Sequence, residues 1–287
     1  MQEGQDKQRS GTLYVVATPI GNLDDITYRA VKVLGEVDLV AAEDTRHSRK
    51  LLDRFGIRKP LLSYHDHNER QRYEEILARL RSGENVALIS DAGTPCIADP
   101  GYRLIASCRT AGVPVVPIPG ASAMVAALSA SGVATDRFTF EGYLPSRAKA
   151  RADLLKRLTG EQRTLVFYET PHRLIAALSD LMQVFGKERY LVVARELTKM
   201  HEEFFHGTVD DAIEHFSRKP VKGEIVLILP PGSDGPQMNA RDALRNLLGD
   251  SSLSRRDAVK MVAREYGLPV SDVYRESLSL TEEDREV

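Results

Sequence analysis

Thirteen consecutive residues, Ile89 to Gly101 (ISDAGTPCIADPG), hold two aspartates, two glycines and two prolines. They follow a short apolar strand candidate, Asn85 to Ile89. Gly93-Thr94-Pro95 and Asp99-Pro100-Gly101 read as turns. The glycines let a ligand approach the backbone closely, and the Asp91 carboxylate can accept hydrogen bonds from it. Three more loops marked by glycine or proline follow apolar strands: Thr18-Pro19-Ile20-Gly21-Asn22, Pro117 to Ala123 (PIPGASA) and Glu169 to Arg173 (ETPHR). Strands of a parallel sheet run the same way, so such loops gather at its carboxyl end, where open α/β sheets bind ligands. No GxxxxGK(S/T) occurs, and no GxGxxG follows the first strand. Nucleoside triphosphate chemistry and a Rossmann-type dinucleotide site are therefore unsupported.

Two charged segments stand out beside these loops. Val193 to Glu203 (VARELTKMHEE) places Arg195, Glu196, Lys199, Glu202 and Glu203 directly after a strand. It reads either as a reactive or orienting cluster or as a solvated loop with ordinary ion pairs. Ser146 to Arg157 carries Arg147, Lys149, Arg151, Lys156 and Arg157 against a single acid, Asp153. A helix here presents a basic stripe, which suits phosphate contact or simply a solvated face. Glu43-Asp44-Thr45-Arg46 is a second polar group after a strand, suited to substrate positioning or to capping the next helix. His172 and Arg173 open a helix and could hold a phosphate. His65-Asp66-His67, with His47 upstream, predicts no metal site, because no third ligand is fixed by spacing. Cys96 has no partner thiol or adjacent base and reads as packing.

The elements that must position these groups alternate. Strands are predicted at Leu13 to Ala17, Val37 to Ala42, Leu61 to Tyr64, Asn85 to Ile89 and Val113 to Ile118. Helices are predicted at Asp25 to Leu34, Thr45 to Phe55, Glu69 to Arg81, Tyr102 to Ala111 and Ala121 to Ser131. Short apolar runs between helical segments predict a mostly parallel sheet covered on both faces, an N-terminal α/β lobe over 12–131. A C-terminal α/β lobe over 132–232 follows. Its predicted strands are Phe138 to Gly142, Thr164 to Tyr168, Tyr190 to Arg195, Glu203 to His206 and Glu224 to Leu229. Its helices are Ala148 to Leu158, Pro171 to Phe185 and Val209 to Phe216. Adjacent strands without a helix between them predict a mixed sheet. Residues 233–287 read as a linker and a helical tail, with helices at Ala240 to Leu248, Arg255 to Tyr266 and Val270 to Leu278. The last two, joined by Gly267-Leu268-Pro269, suit a helix-turn-helix or a tail packed on its own chain or a dimer partner. Residues 1–11 are polar and read as a disordered lead-in.

Composition narrows the class. The 287 residues are 42% hydrophobic and 28% charged, as in an ordinary soluble globular protein of two domains. A net charge of -2 means that any nucleic-acid partner must be met by a local basic patch. Two cysteines, Cys96 and Cys108, support neither a disulfide framework nor a thiolate zinc site, and suggest a reducing cytoplasm. The apolar runs are too short for a transmembrane helix, and the N-terminus lacks the apolar core of a secretory signal.

TPIGN, ISDAGTPCIADPG, PIPGASA, FEGYLP, FYETPHR and VARELTKMHEE occur in this order and together resemble the tetrapyrrole methylase family, in particular a branch acting on ribosomal RNA. The resemblance covers residues 12 to about 231 and extends to the helical tail. It implies a two-lobed α/β fold with S-adenosylmethionine folded in the cleft between lobes, and a homodimer. For the branch it implies methylation of the ribose 2′-hydroxyl of cytidine 1402, with 16S rRNA or the 30S ribosomal subunit as partner. Carried over residue by residue, it implies cofactor contacts at Ile20, Asp91, Gly93, Thr94, Ile97, Ser122 and Ala123, and in the second lobe at Tyr168, Ala194 and Glu224. Turn amides and Ser122 suit the methionyl carboxylate and ribose, and apolar side chains suit adenine. The first loop, TPIGN, departs from the more glycine-rich turn of the tetrapyrrole branch, which fits a different acceptor. Methyl transfer to a hydroxyl is an in-line displacement in which orientation matters most and a base is needed only as the bond forms. Lys199 or Glu196 is the candidate to orient or deprotonate that hydroxyl. With RNA as substrate, Arg147, Lys149, Arg151, Lys156 and Arg157 become candidate phosphate contacts. The alternatives are a methylase of a tetrapyrrole or other small molecule, and a non-catalytic RNA-binding module of the same fold.

Overall fold

The computed structural model describes residues 10–231, 244–245, 247–248, 253–265 and 270–283. The expected lead-in, most of the linker and most of the predicted helix over 240–248 lie outside the described residues. The first lobe runs β1 (Leu13–Val16), α1 (Tyr28–Glu36), β2 (Leu39–Ala42), α2 (Thr45–Arg54), β3 (Leu61–Ser63), α3 (Glu69–Arg81), β4 (Val86–Ile89), α4 (Tyr102–Thr110), β5 (Val115–Ile118) and α5 (Ala123–Ala130). Its five strands lie in the order β3-β2-β4-β1-β5 and all pair in parallel. Successive strand residues point to opposite faces. Val16, Val40, Ala42, Ala87 and Ile89 therefore enter one core with α1 and α2. Leu13, Leu39, Ala41, Val86 and Leu88 enter another with α3 and α4. Pro117, which has no N–H to donate, sits on the edge strand β5.

The second lobe runs β6 (Phe138–Tyr143), α6 (Ala148–Arg157), β7 (Thr164–Glu169), α7 (Leu174–Phe185), β8 (Tyr190–Arg195), β9 (Glu203–Thr208), α8 (Val209–Ser217) and β10 (Ile225–Leu229). The order is β6-β7-β10-β8-β9, with β6 and β7 parallel and the remaining pairs antiparallel. One face of this sheet packs under α6, α7 and α8. The other face joins the first lobe: Val166, Val192, Ala194, Val226 and Ile228 share a core with Ile20, Ala127 and Leu128. The tail helices α9 (Arg255–Glu265) and α10 (Val270–Glu283) close on a small core of their own, including Ala258, Val259, Val262 and Val273.

Local chemistry shifts two predicted helix starts. The helix expected from Asp25 begins at Tyr28, because Thr27 takes the cap and its hydroxyl accepts the Ala30 N–H at 3.1 Å. Leu23–Asp25 forms a separate 3-10 turn capped by Asn22. The helix expected from Pro171 likewise opens as a 3-10 turn, Pro171–Arg173, before α7.

Candidate functional site

The loops after β1, β4 and β5 meet because these strands are neighbours. Thr18 and Gly93 exchange both backbone hydrogen bonds, at 2.8 and 3.1 Å. The Thr94 hydroxyl donates to the Ala121 carbonyl at 3.2 Å. From the second lobe, the Tyr168 hydroxyl accepts the Met124 N–H at 3.1 Å, joining β7 to the first turn of α5. These ties frame a cleft between the lobes, with about 690 Å³ of open space continuous with solvent.

Eight of the ten residues singled out for cofactor contact line this cleft: Ile20, Gly93, Thr94 and Ile97, then Ser122 and Ala123, then Tyr168 and Glu224. The other two lie elsewhere. Asp91 accepts the Asp44 N–H at 2.9 Å and borders a separate shallow hollow with Thr18 and His47, so its carboxylate ties two loops together. Ala194 is fully buried in β8, paired with Val226, and only backs the wall. Lining residues that the sequence reading passed over include Ala92, Ala98, Asp99, Tyr143 and Leu197. Asp99 and Tyr143 stand inside motifs already quoted, ISDAGTPCIADPG and FEGYLP, so the motif was visible but not which member faces inward. Tyr143 and Tyr168 meet edge to face with ring centroids 5.5 Å apart.

Backbone strain gathers at the rims. Cys96 (φ 71°), Ala98 (φ 64°), Glu196 (φ 52°) and Thr198 (φ 65°) are the non-glycine residues with positive φ among those described. Such conformations persist only where packing over-determines them, and they cluster at functional sites. Gly101, at φ 137°, abuts the Cys96 sulfur, which a Cβ there would meet at 2.5 Å. Gly223, at φ 88°, lies against the Glu196 carboxylate and has no room for a Cβ.

The VARELTKMHEE segment divides by role. Arg195 pairs with Glu203 at 2.7 Å, Glu203 also meets the His215 ring at 2.7 Å, and Glu202 accepts the Thr198 N–H at 2.6 Å. These are internal ties of a charged turn. Lys199 differs: its ammonium lies 2.8 Å from Glu196 Oε1 and 3.3 Å from the cleft residue Glu224. Its stem packs over Gly21 of TPIGN, where a Cβ would come within 2.5 Å of Lys199 Cγ. Burial alone would lower the Lys199 pKa, but the hydrogen bond to Glu196 and the charge of Glu224 outweigh it and raise it. Lys199 hydrogen bonding in turn holds Glu196 below its usual range. The pair therefore rests as ammonium and carboxylate. At neutral pH Lys199 has no free lone pair with which to remove a proton.

Asp99 has the opposite character. Desolvation, reinforced by the charge of Glu43, pushes its carboxyl up to about 6 against a hydrogen bond from Ser90. Glu43 is also raised, by desolvation and then by Asp91. Burial raises the phenols of Tyr143 and Tyr168, keeping both protonated. Burial pushes the Cys96 thiol up to about 11, consistent with packing.

The basic segment forms α6, with Arg147, Lys149, Lys156 and Arg157 exposed. Arg151 departs from the expected stripe. It is 4% exposed, pairs with Asp180 of α7 at 2.7 Å and donates to the carbonyls of Pro145 and Ser146, so it holds helix to helix and cannot meet a phosphate from that position. Arg173 is likewise engaged, by Glu169 and the Leu144 carbonyl. Asp44 caps α2 through the amides of Arg46 and His47.

The two-sheet fold and the inter-lobe cleft define a class, and residues 12–213 match the model of the Tetrapyrrole (Corrin/Porphyrin) Methylases: the chain belongs to that family. Solved structures of the same fold include uroporphyrin-III-C-methyltransferase from Thermus thermophilus (TM-score 0.55, 22% identity, 76% of this chain and 94% of that one). The methyltransferase CobJ is another (TM-score 0.60, 19% identity, 79% and 98%). Over nearly its full length the chain is similar to proteins named ribosomal RNA small subunit methyltransferase I. Identity is 52% to that of Synechocystis sp. (94% of this chain, 98% of the relative) and 47% to that of Escherichia coli O157:H7 (97% and 99%). The family's methyl donor is S-adenosylmethionine. The cleft fits it: a turn with glycine at φ 79°, where a Cβ would fill the space between Ile20 and Ala121, supplies open backbone. Thr94, Ser122 and Tyr168 add hydroxyls, Ile20, Ile97, Leu197 and Val226 add apolar walls, and the carboxylates of Asp99 and Glu224 suit a cationic ligand.

Proposed function

We propose that this protein is an S-adenosylmethionine-dependent methyltransferase acting on the ribose 2′-hydroxyl of cytidine 1402 in 16S rRNA, in the cytoplasm and as a homodimer. The observation that carries the reading is 52% identity across 98% of the length of a protein named ribosomal RNA small subunit methyltransferase I. The geometry supports it. S-adenosylmethionine, when bound, supplies an electrophilic methyl group. The chain's task is then to hold a weak nucleophile in line with that methyl and to keep water out. The Lys199–Glu196 pair stands where the second lobe closes over TPIGN, and through Glu224 it reaches the cleft. Lys199 is assigned the orientation of the ribose hydroxyl, and Glu196 the fixing of Lys199. The exposed Arg147, Lys149, Lys156 and Arg157 of α6 are assigned contact with rRNA phosphates, a role for which a chain of net charge -2 needs such a local patch. Ile20, Gly93, Thr94, Ile97, Ser122, Ala123, Tyr168 and Glu224 are assigned to the cofactor.

The test is transfer of tritiated methyl from S-adenosylmethionine to 30S subunits purified from cells lacking the modification, followed by mapping of the labelled nucleotide. Label at the ribose of cytidine 1402 is the expected result. Label at another nucleotide, or none despite cofactor binding, would overturn the assignment.

A further inference from the structure

The tail carries a groove that the cleft does not account for. Its walls are α9 and α10, and it is lined by Arg255, Arg256, Lys260, Val259, Val270 and Tyr274. Among the described residues, three cations and no carboxylate line it. All three are exposed, and among the described residues none of them has an ion-pair partner. The nearby acids are turned to other tasks. Ser254 caps α9, its Oγ accepting the Asp257 N–H at 3.2 Å while its hydroxyl donates to the Asp257 carboxylate at 2.6 Å. Asp272 leans on Arg275 at 3.7 Å. Beside the cations, Val270 and Tyr274 stand 54% and 48% exposed. The helices reach this arrangement by closing on a core of their own.

We infer that this groove binds the phosphate backbone of RNA, as a second contact that shares no lining residue with the cleft. The inference rests on the proposed rRNA substrate and adds to it how the chain grips that substrate. The chemistry favours RNA. Two guanidinium forks and an ammonium supply charged donors to phosphate oxygens. An exposed tyrosine beside a basic groove offers a stacking face to a base or ribose. The whole chain has no net positive charge, so each local cluster of unpaired cations counts toward the attraction.

The experiment uses the full chain and a fluorescein-labelled RNA hairpin, with anisotropy read across a salt series. The variant Arg255→Gln/Arg256→Gln/Lys260→Gln is expected to bind roughly tenfold more weakly. Its slope of log affinity against log salt should be shallower by about 0.7 to 0.9 for each phosphate contact removed. S-adenosylmethionine binding, followed by calorimetry, should stay at the wild-type level because the cleft is elsewhere. Lys260→Gln and Tyr274→Ala, both at exposed positions, are read in the same way and decide the matter if the triple variant fails to fold. Wild-type affinity and slope in the variants, or a wild-type chain that does not bind the hairpin, would overturn the inference. So would loss of binding to assembled 30S subunits with hairpin binding intact, which would mark a protein partner. Absence of methyl transfer by the wild-type chain counts against the proposed function alone, since the hairpin assay reads binding without turnover.

Discussion

Lys199 shows how a single side chain acquires a role from its surroundings. Ammonium groups on exposed turns are ordinarily solvated and weakly paired. Here the residue packs on Gly21, bonds Glu196 at 2.8 Å and reaches a cleft-lining carboxylate at 3.3 Å. Two other segments thus meet this one side chain, Gly21 at its stem and Glu224 at its ammonium. Lys199→Ala is expected to lower kcat for methyl transfer by about 10²-fold, the scale of a lost orienting contact, while S-adenosylmethionine binding measured by calorimetry is retained. Near-normal turnover would remove Lys199 from the reaction. The charges of the segment were legible in the sequence. That Arg195 and Glu203 pair with each other was not, because their partnership depends on the antiparallel register that brings Arg195 opposite Glu203 on the neighbouring strand.

The basic helix α6 teaches the same lesson at the next scale. Five cations in twelve residues read as one stripe, yet helical periodicity turns Arg151 toward α7. Its guanidinium is 5% exposed at the side chain and faces Asp180 at 16%. Replacing one member of a buried pair strands the other charge. Arg151→Met is therefore expected to destabilise the fold by about 3 kcal/mol, read as a lower urea midpoint, with much of the loss recovered in Arg151→Met/Asp180→Leu. Exposed Lys149→Met should leave the midpoint within about 0.5 kcal/mol of wild type. Equal effects at the two positions would contradict the division of the stripe. Helix and strand positions themselves were readable to within a few residues, because burial follows the 3.6 and 2.0 periods of local structure.

For the whole molecule, the acids at the carboxyl end of the first sheet carry a pH signature. Desolvation pushes the Asp99 carboxyl up to about 6 from its ordinary 3.8, so between those values the folded chain keeps a proton there that the unfolded chain has released. The sign follows from linkage: this contribution to stability is fully present below 3.8 and is lost as pH rises through about 6. Asp99→Asn removes it. The stability difference, variant minus wild type, is expected to increase with pH across that window and then level off, as measured by denaturant midpoints at a series of pH values. A difference independent of pH would show that Asp99 titrates normally. Glu43 is raised in the same direction, and because its charge also raises Asp99, Asp99→Asn removes that repulsion together with the titration.

By itself the sequence determined the order of strands and helices, the parallel character of the first sheet, the mixed second sheet and the loops that meet at the cleft. Each of these rests on periodicity and turn chemistry within short windows. Tertiary structure alone decided which members of those loops face the cleft. Asp91 turns aside to hold Asp44, whereas Asp99 and Tyr143 turn in. It also decided which charges remain available. Arg151 and Arg195 are consumed in pairs, Lys199 is held between Glu196 and the cleft residue Glu224, and the tail cations Arg255, Arg256 and Lys260 line a groove. The physical reason is distance. Ion pairs and hydrogen bonds act over a few ångströms between residues far apart in the chain, such as Tyr168 with Met124 or Thr94 with Ala121, and only the packed lobes bring those atoms together.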